Sequence, residues 1–600
     1  MKGTIRRLAA SIESRQPLPA WAAAPLLVVG VSLVIAVTGM LWDVGYHIDH
    51  GRDLKNLFTA PHLFILFGLL GIGAGALASI VFATYSDDRP GLALGPFRMP
   101  YAGLPLLVMA TGSVLGFPLD ALWHQVYGID VTLWSPTHLL MIGGAVFATF
   151  ALCLVIAEGR AARGWAPVRP WQGVLTLGSV VVGLSVFGVE FDFGVPQWQA
   201  VFQPLLVAIT AGLGLVMARA AFGPGGAVAA TLFNLVLRIL LAIFVTSLGY
   251  TFPAFPLLLG MAACVELAFL LENRLPAIGV AAVAGLLIAT VGMATEWLWV
   301  RVLYPIQWQP AMLPRLWLPG LAAIASAMVG MALGRVLSGR PSGLPVAVTA
   351  LAVVVLPVLL AIPLPRNGDN LNAHLTALAS GPQRPAKDRY GQPSYEQDMR
   401  VTVALDRPAT QGADWFTIVA WQGGGRRLVH LTQVGPNTWQ ADQPIPTGGG
   451  WKSIVFLAQG DKMLSAPIYL PPDPTYGISG YQAEPDVTRP FVPSPKLITS
   501  ESHGGPPGVA ILAYIAFFVT AAGWVLSLAL AANRVSSARA AAGETAAPRL
   551  VAPGRGVPGP GRDGPADRSQ PRPAGESRDD ADLRRQHGPP PRVQRRLPHL

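Results

Sequence analysis

The sequence predicts an all-α polytopic membrane protein of about twelve transmembrane helices, joined to one extracytoplasmic all-β, sandwich-like domain and a disordered C-terminal tail. Three observations predict this class. Of 600 residues, 52% are hydrophobic and only 13% are charged, more apolar surface than a soluble chain of this size can hide. Apolar runs of about 20 residues, the length that crosses a bilayer, recur along the chain. The cations between those runs fall mostly on alternate sides, which is the positive-inside bias.

Residues 1–22 form a basic cytoplasmic N-terminus, MKGTIRRLAASIESRQPLPAWA. The run that follows lacks a clean small-residue cleavage site and reads as a retained helix rather than a signal peptide. Spans are expected near 23–42, 61–84, 102–122, 137–157, 172–190, 200–219, 227–250, 253–271, 276–298, 314–336 and 343–363, which together make a membrane domain of about eleven helices over 23–363. A last span follows at 508–532. Residues 533–600 are rich in Pro, Gly and Arg, have little to bury, and are expected to be disordered. Cys153 and Cys264 both fall inside apolar runs, so no disulfide framework is present.

Orientation follows from the loops. With the N-terminus inside, the short inner loops hold Lys2, Arg6, Arg7, Arg15, Arg89, Arg98, Arg160, Arg163, Arg169, Arg219, Arg274, Arg335 and Arg340. The short outer loops hold Arg52, Lys55, Arg301 and Arg315. Twelve spans then return the Arg-rich tail to the cytoplasm and leave 364–507 outside. This is the pattern of a multi-pass protein of a bacterial cytoplasmic (inner) membrane, with both termini cytoplasmic and the lipid bilayer as its main partner. The net charge of +10 is spread over loops and tail, so nucleic acid is not an expected partner.

The 364–507 region alternates apolar and polar residues in short runs: VTVAL (401–405), WFTIVAW (415–421), RRLVHLTQV (426–434), WKSIVFLAQ (451–459) and APIYL (466–470). Gly and Pro clusters punctuate them, the pattern of an all-β sandwich. It carries no His/Met cluster that would bind metal by itself.

Two outer loops carry the chemistry. WDVGYHIDHGRDLKNLFTAPH (42–62) and LDALWHQVYGIDVTLWSPTH (119–138) share Asp-x3-His-x3-Gly-x-Asp at an offset of 77. Asp43, His47, Gly51 and Asp53 correspond to Asp120, His124, Gly128 and Asp130. Each loop closes on a Pro and a His, Pro61-His62 and Pro136-Thr137-His138. The hairpins 23–84 and 102–157 therefore read as a tandem repeat. Asp and His at i,i+4 share one helix face; the second His enters at the first turn of the returning helix. Two imidazoles and a carboxylate suit Cu(II), Zn(II) or non-haem Fe(II). Asp43, His47, His62, Asp120, His124 and His138 are thus the expected ligands. His50, Asp53, Asp130, Glu190, Asp192 and Glu296 are expected as additional ligands or as partners that orient the imidazoles. Arg238 and Glu266, both mid-run in neighbouring spans, are expected to form an intramembrane ion pair.

The Asp-x3-His pattern followed by a His on the next helix resembles the copper site in the C-type subunit of particulate methane and ammonia monooxygenases. Fourteen residues separate His47 from His62 and thirteen separate His124 from His138, slightly more than in that family. The resemblance covers at most two hairpins and implies copper held by one Asp and two His. The stretch Leu428 to Leu470, containing GPNTWQADQPIPTGGGWKSIVFL, is similar to small immunoglobulin-like domains of bacterial copper-handling and oxidase-assembly membrane proteins. Together they imply an outward-facing copper site serving membrane redox chemistry, as in a metal-dependent oxidoreductase, or assembly of a respiratory or oxidative enzyme with partner membrane subunits. Three other readings stay open: a secondary transporter of a small solute or ion, since an internal repeat fits that class; haem ligation by the paired His; and a transferase using Asp53 and Asp130 to hold a divalent cation.

Overall fold

The computed structural model describes residues 2–51, 58–88, 90–128, 133–342, 345, 348, 351–352, 370–498 and 504–546. The expected span at 343–363 lies almost wholly outside the described residues, and Asp53, Asp130 and the tail beyond Ala546 lie entirely outside them. A short amphipathic helix, α1 (Lys2–Glu13), precedes the bundle. Ten helices are long and apolar enough to cross a membrane among the described residues. They are α2 (Ala20–His50), α3 (Ala60–Tyr85), α4 (Gly103–Tyr127), α5 (Pro136–Ala162), α6 (Pro170–Asp192), α7 (Phe202–Phe222), α8 (Gly226–Ser247), α10 (Ala277–Leu303), α11 (Trp317–Leu337) and α12 (Pro507–Ala546). A hairpin of β1 (Leu92–Leu94) and β2 (Phe97–Met99) joins α3 to α4.

Helices α5, α6 and α7 are buried on most of their surface and form the centre. Peripheral helices turn large apolar side chains outward, such as Phe64, Phe67 and Leu77 on α3 and Ile515, Val519 and Leu526 on α12. Such continuous exposed apolar faces fit contact with lipid rather than water. Helix α12 continues to Ala546 instead of ending near 532, because the stretch 531–547 is rich in Ala, which outweighs the single Gly543, and no proline intervenes until Pro548.

The eighth expected span departs from a simple helix. Pro253 and Pro256 cannot donate to a helical ladder, and residues 250–258 run without regular structure into a short helix, α9 (Leu259–Leu271). Non-helical backbone inside a membrane bundle must find polar partners. It does so here: the Glu296 carboxylate accepts from Leu257 N–H (2.8 Å) and Leu258 N–H (3.0 Å), and Trp299 Nε1 donates to Phe255 O (2.7 Å). Ala254 N–H donates to Asp192 O (2.9 Å), while Arg238 donates to Ala254 O (3.2 Å).

Eleven strands follow: β3 (Asn372–Ala379), β4 (Arg384–Lys387), β5 (Pro393–Leu405), β6 (Trp415–Trp421), β7 (Arg427–Gly435), β8 (Thr438–Ala441), β9 (Ile445–Gly448), β10 (Lys452–Gln459), β11 (Lys462–Tyr469), β12 (Val487–Pro490) and β13 (Val492–Pro493). All pairings are antiparallel. One layer is built on β5, flanked by β3, β4, β8 and β9, with β12 beyond β3. The other runs β6-β10-β11-β13. Strand β7 bridges them, its first half paired to β6 and its second to β8. Inward residues Val401, Val403, Ile418, Ala420, Val455 and Ala466 share one core. The opposite face of β6 and β10 is apolar too: Trp415, Val419, Trp421, Ile454 and Phe456 join the core of the helical bundle. WFTIVAW reads as a continuous apolar run because both of its faces are covered.

That docking is fixed by main-chain bonds at one end of the bundle. Gln422 N–H donates to Ile48 O (3.0 Å) and Gly424 N–H to Asp49 O (2.8 Å). Trp415 Nε1 donates to Gln307 O (3.0 Å), and Arg315 pairs with the buried Asp414. The β-domain therefore sits against the same helix ends that carry the His/Asp motifs.

Candidate metal centre

Each hairpin builds its cluster by the same local rules. Helix α2 ends where Gly51 takes φ 81° and returns its N–H to His47 O (3.1 Å); α4 ends where Gly128 takes φ 75° and returns its N–H to His124 O (3.0 Å). The positive φ suits glycine, which carries no Cβ. Helices α3 and α5 restart with Pro61 and Pro136 in their first turns, and the Ser135 hydroxyl accepts from His138 N–H (3.3 Å).

The repeat extends into the packing, beyond the motif visible in the loops. Four residues before each Asp, a glycine lets the two helices of the hairpin touch. A Cβ on Gly39 would lie 2.6 Å from Ile65 N, and one on Gly116 would lie 3.0 Å from Met141 N. Six residues after the second His, Gly68 lies against the Ala36 backbone and Gly144 against Ser113.

In the first triad, Asp43 Oδ1 lies 3.4 Å from His47 Nε2 and 3.1 Å from His62 Nε2. In the second, Asp120 Oδ1 lies 3.3 Å from His138 Nε2, and Oδ2 lies 3.8 Å from His124 Nε2. Ligand atoms of each triad fall within 4.8 Å of one another. Donors on bonds of 2.0–2.1 Å around a tetrahedral ion stand roughly 3.3 Å apart, so both triads have the dimensions of a metal site.

Hydrogen bonding sharpens this for the first triad. His47 Nδ1 lies 2.8 Å from Gly51 O, and a carbonyl only accepts, so Nδ1 carries the proton. In the neutral ring Nε2 then holds a lone pair facing the Asp43 carboxylate. A second imidazole proton or a metal ion between these two acceptors would turn the 3.4 Å approach into an attraction. Anchoring the far ring nitrogen to a carbonyl is also how proteins orient metal-binding His. Asp43 Oδ1 is buried and makes no hydrogen bond of good geometry among the described residues. In the second triad Thr137, in place of Pro61, donates to Asp120 Oδ1 (2.7 Å), and the two imidazoles face different oxygens of the carboxylate.

Both triads line one cavity of about 720 Å³, together with Glu190, Gln125, Gln197, Trp421 and Gln422. Among the described residues, of the other expected ones only Glu190 joins them; its oxygens accept from Gln197 N–H (3.2 Å) and Leu133 N–H (3.4 Å). His50 is exposed and packs against Tyr46 and Tyr250. Asp192 and Glu296 stand apart from the triads and support the irregular 250–258 segment. The expected Arg238–Glu266 pair is not formed. Arg238 pairs with Asp192, which also accepts from Tyr304 Oη (2.8 Å). Glu266 pairs with Arg219 (2.7 Å) and accepts from Gly225 and Ala227 N–H. Residues adjacent in the span order are not adjacent in depth, so each charge finds a partner at its own level.

Sequence reasoning missed Asp49, which is buried and accepts from Thr251 N–H (2.6 Å). It faces Arg426 of the β-domain, whose guanidinium is pushed down to about 10 by burial, with Asp49 opposing the shift. It also missed Trp421 and Gln422, which close the cavity from the β-domain. A buried acid beside the motif was a signal for the first; nothing in the local sequence marked the other two.

Comparison with known proteins finds no match: no family model, no curated protein and no solved structure corresponds to this chain. The functional reading therefore rests on the residues and their geometry.

Proposed function

We propose that this membrane protein holds two transition-metal ions, one in each Asp-His-His triad, with copper as the resident metal. The observation that carries the reading is the duplicated triad, rebuilt with the same ligands, the same helix ends and the same glycine contacts in two hairpins that open on one cavity. Capping a helix does not demand Asp and two His at matched positions in both copies. Copper is favoured by the imidazole-rich set and by Met40 and Met141, soft thioethers that line the same cavity within a turn of Asp43 and His138. The arginine distribution supports a cytoplasmic membrane location with both termini inside and the cavity outside. Such a pair of sites suits membrane redox chemistry or the assembly of a respiratory or oxidative enzyme. The test is elemental analysis with an optical spectrum on one preparation of purified protein. The reading expects copper and no Soret band; metal-free protein after copper loading, or a haem spectrum, would overturn it.

One observation favours a second reading, transport of a small solute or ion. The broken segment 250–271, with buried Asp192, Arg238 and Glu296 around it, has the form of the discontinuous helices that build transporter sites. Solute uptake into proteoliposomes that is abolished by Arg238→Gln but indifferent to loss of both triads would favour that reading.

A further inference from the structure

The cavity is much longer than a pair of metal sites needs. On α2 its lining runs from His47 down to Leu33, and on α5 from His138 to Thr149. At 1.5 Å per residue these stretches extend about 20 Å and about 16 Å along the helices. The two ends differ in chemistry. The end next to the β-domain gathers both triads with Glu190, Gln125, Gln197 and Gln422. Below them the wall is mainly hydrocarbon, including Leu33, Val37, Leu69, Val146, Val182 and Leu237, with two hydroxyls, Thr149 and Ser179, whose protons are committed to Val146 O and Leu175 O. Packed interiors leave few voids larger than a water molecule, and 720 Å³ is the size of a small-molecule chamber. Apart from the Thr149 and Ser179 oxygens, water would find few partners along this part, whereas apolar walls favour a hydrocarbon occupant. A soluble polar substrate would satisfy the head and strand the shaft.

We infer that the chamber binds a membrane-borne amphiphile with an oxygen-bearing head, such as a phenol or alcohol, and a single linear hydrocarbon chain. The head lies at the triads and the chain runs down the shaft. This deepens the metal reading by naming the substrate class, and it rests on that reading for what the head meets. The bilayer supplies the bulk phase from which such a molecule partitions. Each apolar wall residue adds affinity in proportion to the chain area it covers, so chain length governs binding while the head governs contact with the metal.

The test uses full-length, copper-loaded protein in proteoliposomes and a 4-dodecylphenol carrying a diazirine in its chain. After photolysis, label is expected on the shaft segments of α2, α5 and α6. Excess 4-dodecylphenol should reduce that label at least tenfold, while phenol at the same concentration leaves it. Ala145→Phe and Val34→Trp, both on the shaft wall, should each lose the label and keep wild-type copper content; the pair guards against one variant misfolding. In the same samples 4-dodecylphenol should perturb the Cu(II) spectrum and dodecylbenzene should not. Label confined to lipid-facing residues such as Leu27 and Val31, unchanged in both variants, would overturn the inference. Competition by phenol equal to that by 4-dodecylphenol would overturn it as well. Shaft labelling in protein that takes up no copper would leave the chamber standing and sink the metal reading instead.

Discussion

At the residue scale, the triads were legible because their chemistry is local. An Asp and a His at i,i+4 share a helix face, and a His in the first turn of the returning helix lies at the same end of the hairpin. The carbonyl of Gly51 adds what spacing could not: it orients His47 so that Nε2 faces Asp43. Moving the lone pair is then more damaging than reducing ring size. His47→Gln, which can still donate to Gly51 O but cannot coordinate as an imidazole, should lose the copper of the first triad and leave the second, read as a halved metal content. The partners of Arg238 and Glu266 were not legible, because order along the chain does not report depth in the bundle. Asp192 meets Arg238 only because the irregular segment brings α6, α8 and the start of α9 together. Truncating Asp192 to Ala leaves a buried guanidinium uncompensated, which costs about 3–5 kcal/mol when a buried pair is broken from one side. The thermal unfolding midpoint of Asp192→Ala should therefore fall markedly; a change no larger than that of an exposed substitution would refute the pairing.

At the element scale, the hairpins depend on small residues where the helices touch. Gly68→Leu or Gly144→Leu would force α3 from α2 or α5 from α4, since the added side chain would meet the Ala36 or Ser113 backbone. Each should remove the copper of its own hairpin and spare the other, measured as metal per chain. Alternation locates β6 in full although both of its faces are buried, and β7 and β10 to within a residue, but it catches only the last five residues of β5 and the second half of β11 and leaves β3, β4, β8, β9, β12 and β13 unmarked. The interruption at 250–258 was also written in the sequence, in Pro253 and Pro256, but the span expected from hydropathy at 253–271 runs across both. Within the β-domain, hydrogen bonds and charge from Arg384 hold the Asp398 carboxyl below its ordinary range. A carboxyl lowered on folding contributes stability above its unfolded pKa and loses it as pH falls through the folded value. Unfolding midpoints should therefore drop on acidification below about pH 4, and drop less steeply in Asp398→Asn; identical profiles would refute that contribution, which is small because the pair is partly exposed.

At the scale of the whole molecule, composition and the recurring apolar runs made the spanning-length helices legible, whereas the continuous core shared by bundle and β-domain was not. That core depends on which face of β6 meets the helices, a tertiary fact with no local signature. Sidedness is open to a direct check, since both native cysteines are buried. Ser380→Cys in the β-domain should react with a membrane-impermeant maleimide in intact spheroplasts, and Ser11→Cys in α1 only after permeabilisation; the reverse pattern would invert the molecule. The central claim is two equivalent triads, each holding one metal ion in a common chamber. It is tested most directly by copper stoichiometry in four proteins: wild type, His47→Ala/His62→Ala, His124→Ala/His138→Ala, and the quadruple variant. Two, one, one and zero ions per chain is the predicted series. Two ions retained in the quadruple variant, or none bound by the wild type, would contradict it.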